Sequence, residues 1–166
     1  KAGQNIATKL NKQMENKHIN QSARQALLPG GRLKLVSGEG NLFSKLLAQQ
    51  GYVFKTAEID LTSSPAKGLN GNIFVDSLAY NALRVDTLKM DLNTNQTGLN
   101  YSLQILNKAD NNYPYKGLVY GSLFERGLDA SLAVTDMNDK IALALSAQAE
   151  MKGQGINLSL TSAKVI

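Results

Sequence analysis

From Phe54 to the end of the chain, apolar and polar residues alternate with a period of two, and this leaves few choices of fold. Ala57, Ile59 and Leu61 interleave with Thr56, Glu58 and Asp60. Ile73, Val75 and Ser77 alternate next, then Leu88, Met90 and Leu92 opposite Lys89 and Asp91. Leu99, Tyr101, Leu103 and Ile105 form a clean set. Leu118, Tyr120, Ser122 and Phe124 make the following run, interleaved with Gly117, Val119 and Gly121. Leu128, Ala130, Leu132 and Val134 come after it, then Ile141, Leu143, Leu145 and Ala147, and Ile156, Leu158 and Leu160 close the series. The breaks between runs are turn-rich, as at Ser63-Ser64-Pro65, Asn93–Gly98 and Asp136–Asp139, and recur about every 12–16 residues. Strands so close together leave no room for helical crossovers, so they pair as antiparallel neighbours. The spacing predicts a meander of about eight or nine strands.

Each strand has one apolar and one polar face. An open sheet curled into a groove with an apolar lining satisfies that pattern, and so does a sandwich in which each sheet buries one side. The chain has no Trp, and residues 126–166 are poor in large side chains. A closed core wants more aromatic volume, which tilts the reading toward a surface that serves aliphatic material.

Two helices are expected ahead of the meander. Residues 4–28 carry Ile6, Leu10 and Met14 at helical spacing, and Pro29-Gly30-Gly31 stops that helix. A strand over Arg32–Ser37 follows. Asn41 then reads as the cap of a short helix over Leu42–Gln50, with Gly51 just past its end. The organisation expected is an N-terminal helical segment, 1–30, and a β domain, 31–166. Lys1 in place of Met, and a strand-like final segment, read as a piece of a longer protein.

Charge and composition narrow the function. Residues 1–34 hold seven Lys or Arg against Glu15 alone, whereas the rest of the chain is nearly balanced. The body has no basic stripe and few aromatics for stacking, so nucleic-acid binding is not expected. Without cysteine there are no disulfides, thiolate metal sites or cysteine nucleophiles. No apolar stretch is long enough to span a membrane as a helix.

No motif converges on chemistry. The single histidine, His18, sits in a polar stretch beside Lys17, where it reads as a solvated helix residue rather than a base. Glu58 and Asp60 share a strand face, which in an alternating strand reads as polar pattern. Asp136, Asn138 and Asp139 begin like a calcium loop, but the sixth position is Ile141 instead of glycine, so they read as a turn. Gly38-Glu39-Gly40 lacks the later residues of a phosphate loop and also reads as a turn. The basic N-terminal helix is expected to pack its modest apolar stripe on the sheet, with anionic headgroups as the lesser possibility. No catalytic residue, cofactor or metal is expected.

One resemblance is visible at the level of segments. The run Leu28-Pro29-Gly30-Gly31-Arg32-Leu33-Lys34-Leu35 leads through Asn41-Leu42-Phe43 and Gly51-Tyr52-Val53-Phe54 to Ile59-Asp60-Leu61-Thr62-Ser63-Ser64-Pro65. Gly68-Leu69-Asn70-Gly71, Leu83-Arg84-Val85-Asp86-Thr87-Leu88 and the strand repeats follow. In this order and style, residues 28–166 resemble an internal stretch of the TamB family, the translocation and assembly module of the AsmA-like class. The resemblance implies a β-taco-like groove with an apolar lining, in a parent chain anchored in the inner membrane and reaching across the periplasm. It further implies a TamA-type outer-membrane barrel as partner, and phospholipid acyl chains or an outer-membrane protein strand as cargo. The lining expected on this reading includes Leu99, Tyr101, Leu103, Ile105, Leu128, Leu132, Val134, Ile141, Leu143 and Leu145. The alternative is a sandwich or solenoid module that binds a protein partner through strand edges or loops such as Asp110–Tyr115. An enzyme on a β scaffold ranks last, for want of converging site residues.

Overall fold

The computed structural model describes residue 25 and residues 28–165, apart from 82, 109–113 and 153–154. The helix expected over 4–28, His18 and most of the 110–115 loop therefore lie outside the described residues.

The described chain is one open antiparallel sheet of ten strands. Strand β1 spans Gly31–Gly38, and helix α1 (Leu42–Ala48) follows it. Then come β2 (Tyr52–Val53), β3 (Thr56–Ser64), β4 (Gly68–Tyr80), β5 (Leu83–Thr94) and β6 (Gly98–Asn107). β7 (Tyr115–Phe124), β8 (Gly127–Thr135), β9 (Ile141–Lys152) and β10 (Gly155–Val165) complete it. The spatial order is β1-β3-β4-β5-β6-β7-β8-β9-β10. The fold is thus the open meander of the first alternative; among the described residues no second sheet faces it, so the sandwich is not formed.

Turn chemistry sets the registers. At the β5–β6 turn the Asn95 side-chain oxygen accepts from the amides of Thr97 (2.9 Å) and Gly98 (3.0 Å), closing an Asx turn. Asp136 does the same between β8 and β9, accepting from Asn138 N (2.8 Å) and Lys140 N (2.9 Å). Its carboxylate is thereby used as a turn acceptor, as the failed calcium-loop pattern implies. Among the described residues no acidic or histidine cluster could hold a metal.

β2 and β3 lie on the same side of β4. β4 overhangs β3, and the overhang takes up β2 through Tyr52↔Tyr80 and Val53↔Ala79, with the two tyrosine rings stacked 4.5 Å apart. The alternation expected through Ser77 breaks at that residue: its φ is 57°, and the β4–β5 register skips from Asp76↔Thr87 to Leu78↔Val85. A left-handed serine costs on the order of 1 kcal/mol, so the surrounding ladder holds it there.

Tight packing is confined to one corner. Phe54 (4% exposed) and Ala57 (5%) are the buried apolar residues among those described, and the Phe43 ring of α1 lies 6.1 Å from that of Phe54. Asn41 caps α1 by accepting from Ser44 N (2.9 Å) while its amide donates to the buried Ser37 hydroxyl (2.9 Å). The corner also leaves Leu42, Leu46, Val53 and Leu83 in solvent.

Candidate functional site

Cross-strand partners in an antiparallel sheet share a face, so the registers alone define the surface. One row runs Leu61, Gly71, Leu92, Tyr101, Gly121, Ala130, Ala147, Leu160, from β3 to β10. A second runs Ile59, Ile73, Met90, Leu103, Val119, Leu132, Leu145. A third runs Ala57, Val75, Leu88, Ile105, Gly117, Val134, Leu143. A fourth, at the hairpin rim, joins Leu99, Leu123, Leu128, Ala149 and Leu158. Leu33 and Leu35 on β1 carry the face past β3. None of the titratable groups of the sheet interrupts these rows except the Tyr101 phenol.

The opposite face is polar in the same registers. Asp91, Ser102, Tyr120, Ser131 and Ser146 form one of its rows, with the Ser131 and Ser146 hydroxyls 2.9 Å apart. Glu58 and Asp60 lie on this face, but they do not act as a pair. Asp60 receives Arg32 Nε at 2.9 Å and Nη2 at 2.5 Å, and this bidentate contact holds its carboxyl below the ordinary carboxylate range.

Nine of the ten residues expected to line a groove stand in these rows: Leu99, Tyr101, Leu103, Ile105, Leu128, Leu132, Val134, Leu143 and Leu145. Ile141 does not. A register shift after Val134↔Leu143 leaves it opposite Thr135, outside the continuous rows. The rows also recruit Ile59, Ile73, Val75, Leu88, Met90 and Leu92, which the same alternation marks in sequence.

β7 is phased opposite to the expected run. Gly117, Val119, Gly121 and Leu123 stand on the apolar face, and Leu118, Tyr120, Ser122 and Phe124 on the other. The reason is steric. A Cβ at Gly121 would run into the Asp129 carbonyl of β8 and the Tyr101 hydroxyl, and one at Gly117 would touch Ile105 and Tyr115. Gly121 makes room for its larger neighbour, so there the apolar face borrows a side chain from β6, whereas the contacts at Gly117 are ordinary ones. Tyr101 lies over Gly121 and donates to the Asp129 carbonyl two strands away (2.8 Å). Burial, and then the Asp129 charge, raise its phenol pKa, so it remains a donor at neutral pH. On the reverse side the Asp129 carboxylate accepts from Ser122 N (2.8 Å) and Ser122 Oγ (2.5 Å), so β7 and β8 are clasped from both faces.

Backbone kinks accompany such close approaches. At Gly71, φ is +141° and a Cβ would strike the Asp60 carbonyl of β3. Glycine kinks of this kind let a long sheet bend.

No protein family, curated protein or solved structure matches the chain.

Concavities divide between the faces. On the apolar face, a 310 Å³ depression near β1 is lined in part by Leu33, Leu61 and Leu69, and a 230 Å³ one near β10 by Leu123, Leu128, Met151 and Ile156. A larger one, about 1060 Å³, follows the hairpin rim among polar residues such as Asn70, Asn95, Arg126 and Glu150. A cavity of about 550 Å³ on the polar face has Phe74, Leu106, Leu118 and Ala133 in its lining, along with Lys89 and Lys116. Those lysines are paired with Asp91 (3.1 Å) and Asp139 (2.6 Å), which leaves little free positive charge for a ligand. The apolar rows, continuous over the sheet, are the larger chemical feature.

Proposed function

We propose that this chain is a non-enzymatic segment of a TamB-like envelope protein, whose apolar sheet face carries phospholipid acyl chains between membranes. One observation supports the reading: an apolar face extends over the sheet with no second layer on it among the described residues, whereas domains ordinarily bury such a face against another layer. Aliphatic rows withdraw acyl chains from water at about 0.8 kcal/mol per methylene, and they do so without selecting a headgroup. Cargo can therefore slide along the face. In this reading the parent chain is anchored in the inner membrane, crosses the periplasm and works with a TamA-type outer-membrane barrel. No catalytic residue or cofactor is needed.

The test is site-specific photocrosslinking in the parent protein in cells. Probes at Leu103 and Leu143 report the apolar face; Gln104 and Ala144, whose register partners Lys89 and Ala133 lie on the opposite face, serve as controls. Phospholipid captured at the leucines alone supports the conduit. Capture of an extended polypeptide moves the reading to an outer-membrane protein strand, and crosslinks solely within the chain make the face ordinary core. Leu143→Asp is expected to impair the envelope barrier while leaving the parent protein abundant, as read by detergent sensitivity alongside an immunoblot.

A further inference from the structure

The face opposite the apolar rows carries an apolar island. Phe74, Leu118 and Ala133 share one register row of that face, joined through Lys89 and Gln104, and Leu106 stands in the next. All four line the cavity of about 550 Å³. Helix α1 packs chiefly against β1 and β2. A second observation fixes where the chain enters this face. Gln25 is helical, and it lines the rim cavity together with Thr62, Asn70, Phe124 and Glu150, which the registers place on the same face as the island. Just downstream, the Leu28 amide donates to the Gln25 carbonyl (3.1 Å) and the Ser63 hydroxyl to the Pro29 carbonyl (2.6 Å), which pins this turn to the end of β3.

We propose that the segment ahead of Gln25, residues 6–24, is a helical strap seated along this polar face, with Met14 and Leu10 over the island. Those residues lie outside the described ones, and the placement follows from spacing. In the helix that the sequence predicts there, Met14 and Leu10 stand about three and four turns before Gln25, so all three face one way. At about 1.5 Å per residue, Met14 falls roughly 17 Å and Leu10 roughly 23 Å from Gln25. Along the strands, at about 3.4 Å per residue, the row of Phe74 and Leu118 lies roughly 13–20 Å beyond Asn70 and Phe124, and Leu106 lies about 7 Å further. Met14 thus reaches the row of Phe74, Leu118 and Ala133, and Leu10 reaches Leu106. Lys17, on the flank of the same stripe, falls level with the intervening row, which holds Asp60 and Asp91. The segment is basic, with Lys9, Lys12, Lys17 and Arg24 against Glu15, and so complements that row. A helix layered on one face of an antiparallel sheet is a stable arrangement, and here it leaves the apolar rows of the other face open. The strap does not depend on what those rows carry.

The test uses the full 166-residue chain, which has no native cysteine to confuse it. With a short bifunctional maleimide, Met14→Cys and Ala133→Cys together are expected to give a crosslink within one chain, read by mass spectrometry. Met14→Cys with Leu132→Cys, the neighbouring position on the apolar face, is expected to give none. Maleimide labelling of Ala133→Cys alone is expected to be slow. Adding Leu10→Asp and Met14→Asp should raise it about tenfold, since two apolar anchors are lost together. Circular dichroism checks that the sheet persists in that variant, and the crosslinks decide if it does not. Equal crosslinking to Leu132→Cys overturns the proposal and puts the segment on the apolar face. Equal crosslinking to Phe124→Cys at the rim overturns the path along the strands, and crosslinks solely between two chains overturn the intramolecular seat. Labelling that the two aspartates leave unchanged means the island is bare, which also overturns it.

Discussion

The α1 corner and the central strands β6–β9 come from one chain, yet they are finished to different standards. At the corner, side chains close on one another: Phe54 is buried against Phe43, Asn41 caps the helix, and Ser37 is fully enclosed. In the central strands the ladders run on with one register shift, between β8 and β9, and Asp136 satisfies the turn there, but the aliphatic rows are only half covered. Hydrogen bonding there organises the backbone without a core beneath it. The corner is packed for stability, whereas the central rows form a surface that water partly wets and that gains from any aliphatic cover.

The sharpest way to break this contrast is to truncate one residue in each region. Phe54→Ala is expected to cost about 3–5 kcal/mol, the range for a buried phenylalanine. Leu103→Ala, on a half-exposed row, should cost about 1 kcal/mol by the area it loses. Urea unfolding monitored by circular dichroism compares the two, and equal losses would mean that the central face is closed core after all. Gly121→Val comes next, at about 2–3 kcal/mol, since the new side chain meets the Asp129 carbonyl and Tyr101 together. Protection of β7 and β8 amides from hydrogen exchange should fall first, and unchanged protection would remove the steric account of the β7 phase.

Smaller effects sharpen the corner. Asn41→Ala deletes the cap and should cost about 1 kcal/mol, with amide exchange rising in α1 and not in β6–β9. The Arg32–Asp60 pair is exposed, and its effect is the smallest. Because its folded-state pKa is lowered, the stability Asp60 adds is present above the unfolded carboxylate pKa and lost as pH falls through the folded value. Asp60→Asn should therefore flatten the acid limb of the stability profile slightly, and an unchanged limb would show the ion pair to be idle.

Much of this architecture is legible in the alternation. Clean runs such as Leu99–Ile105 fix both the strand and its face, because each second residue is aliphatic and nothing in the run contradicts the phase. The short helix is legible for a different reason: Asn41 and Gly51 mark its ends chemically. β7 is less legible, since a glycine shows no preference for either face until its neighbour across the ladder is known. Tyr101 and Gly121 are cross-strand partners twenty residues apart, and only the register reveals that one fills the space of the other. Ser77 and Ile141 fail at irregularities of pairing, where a period counted along one strand no longer applies. The apolar face follows from local pattern; the side from which each strand contributes to it follows from pairing.

The strand order has a kinetic side. Apart from the α1–β2 detour, each strand pairs with the one just before it in the chain, so the contacts close short loops. Local topology of this sort favours rapid folding, and during synthesis each hairpin can dock on the one already formed. An added hairpin would widen the sheet by roughly 10 Å at the usual strand spacing and leave the earlier registers untouched. The width of such a sheet is therefore a quantity that evolution can adjust in whole steps, by duplicating or deleting hairpins instead of redesigning a core.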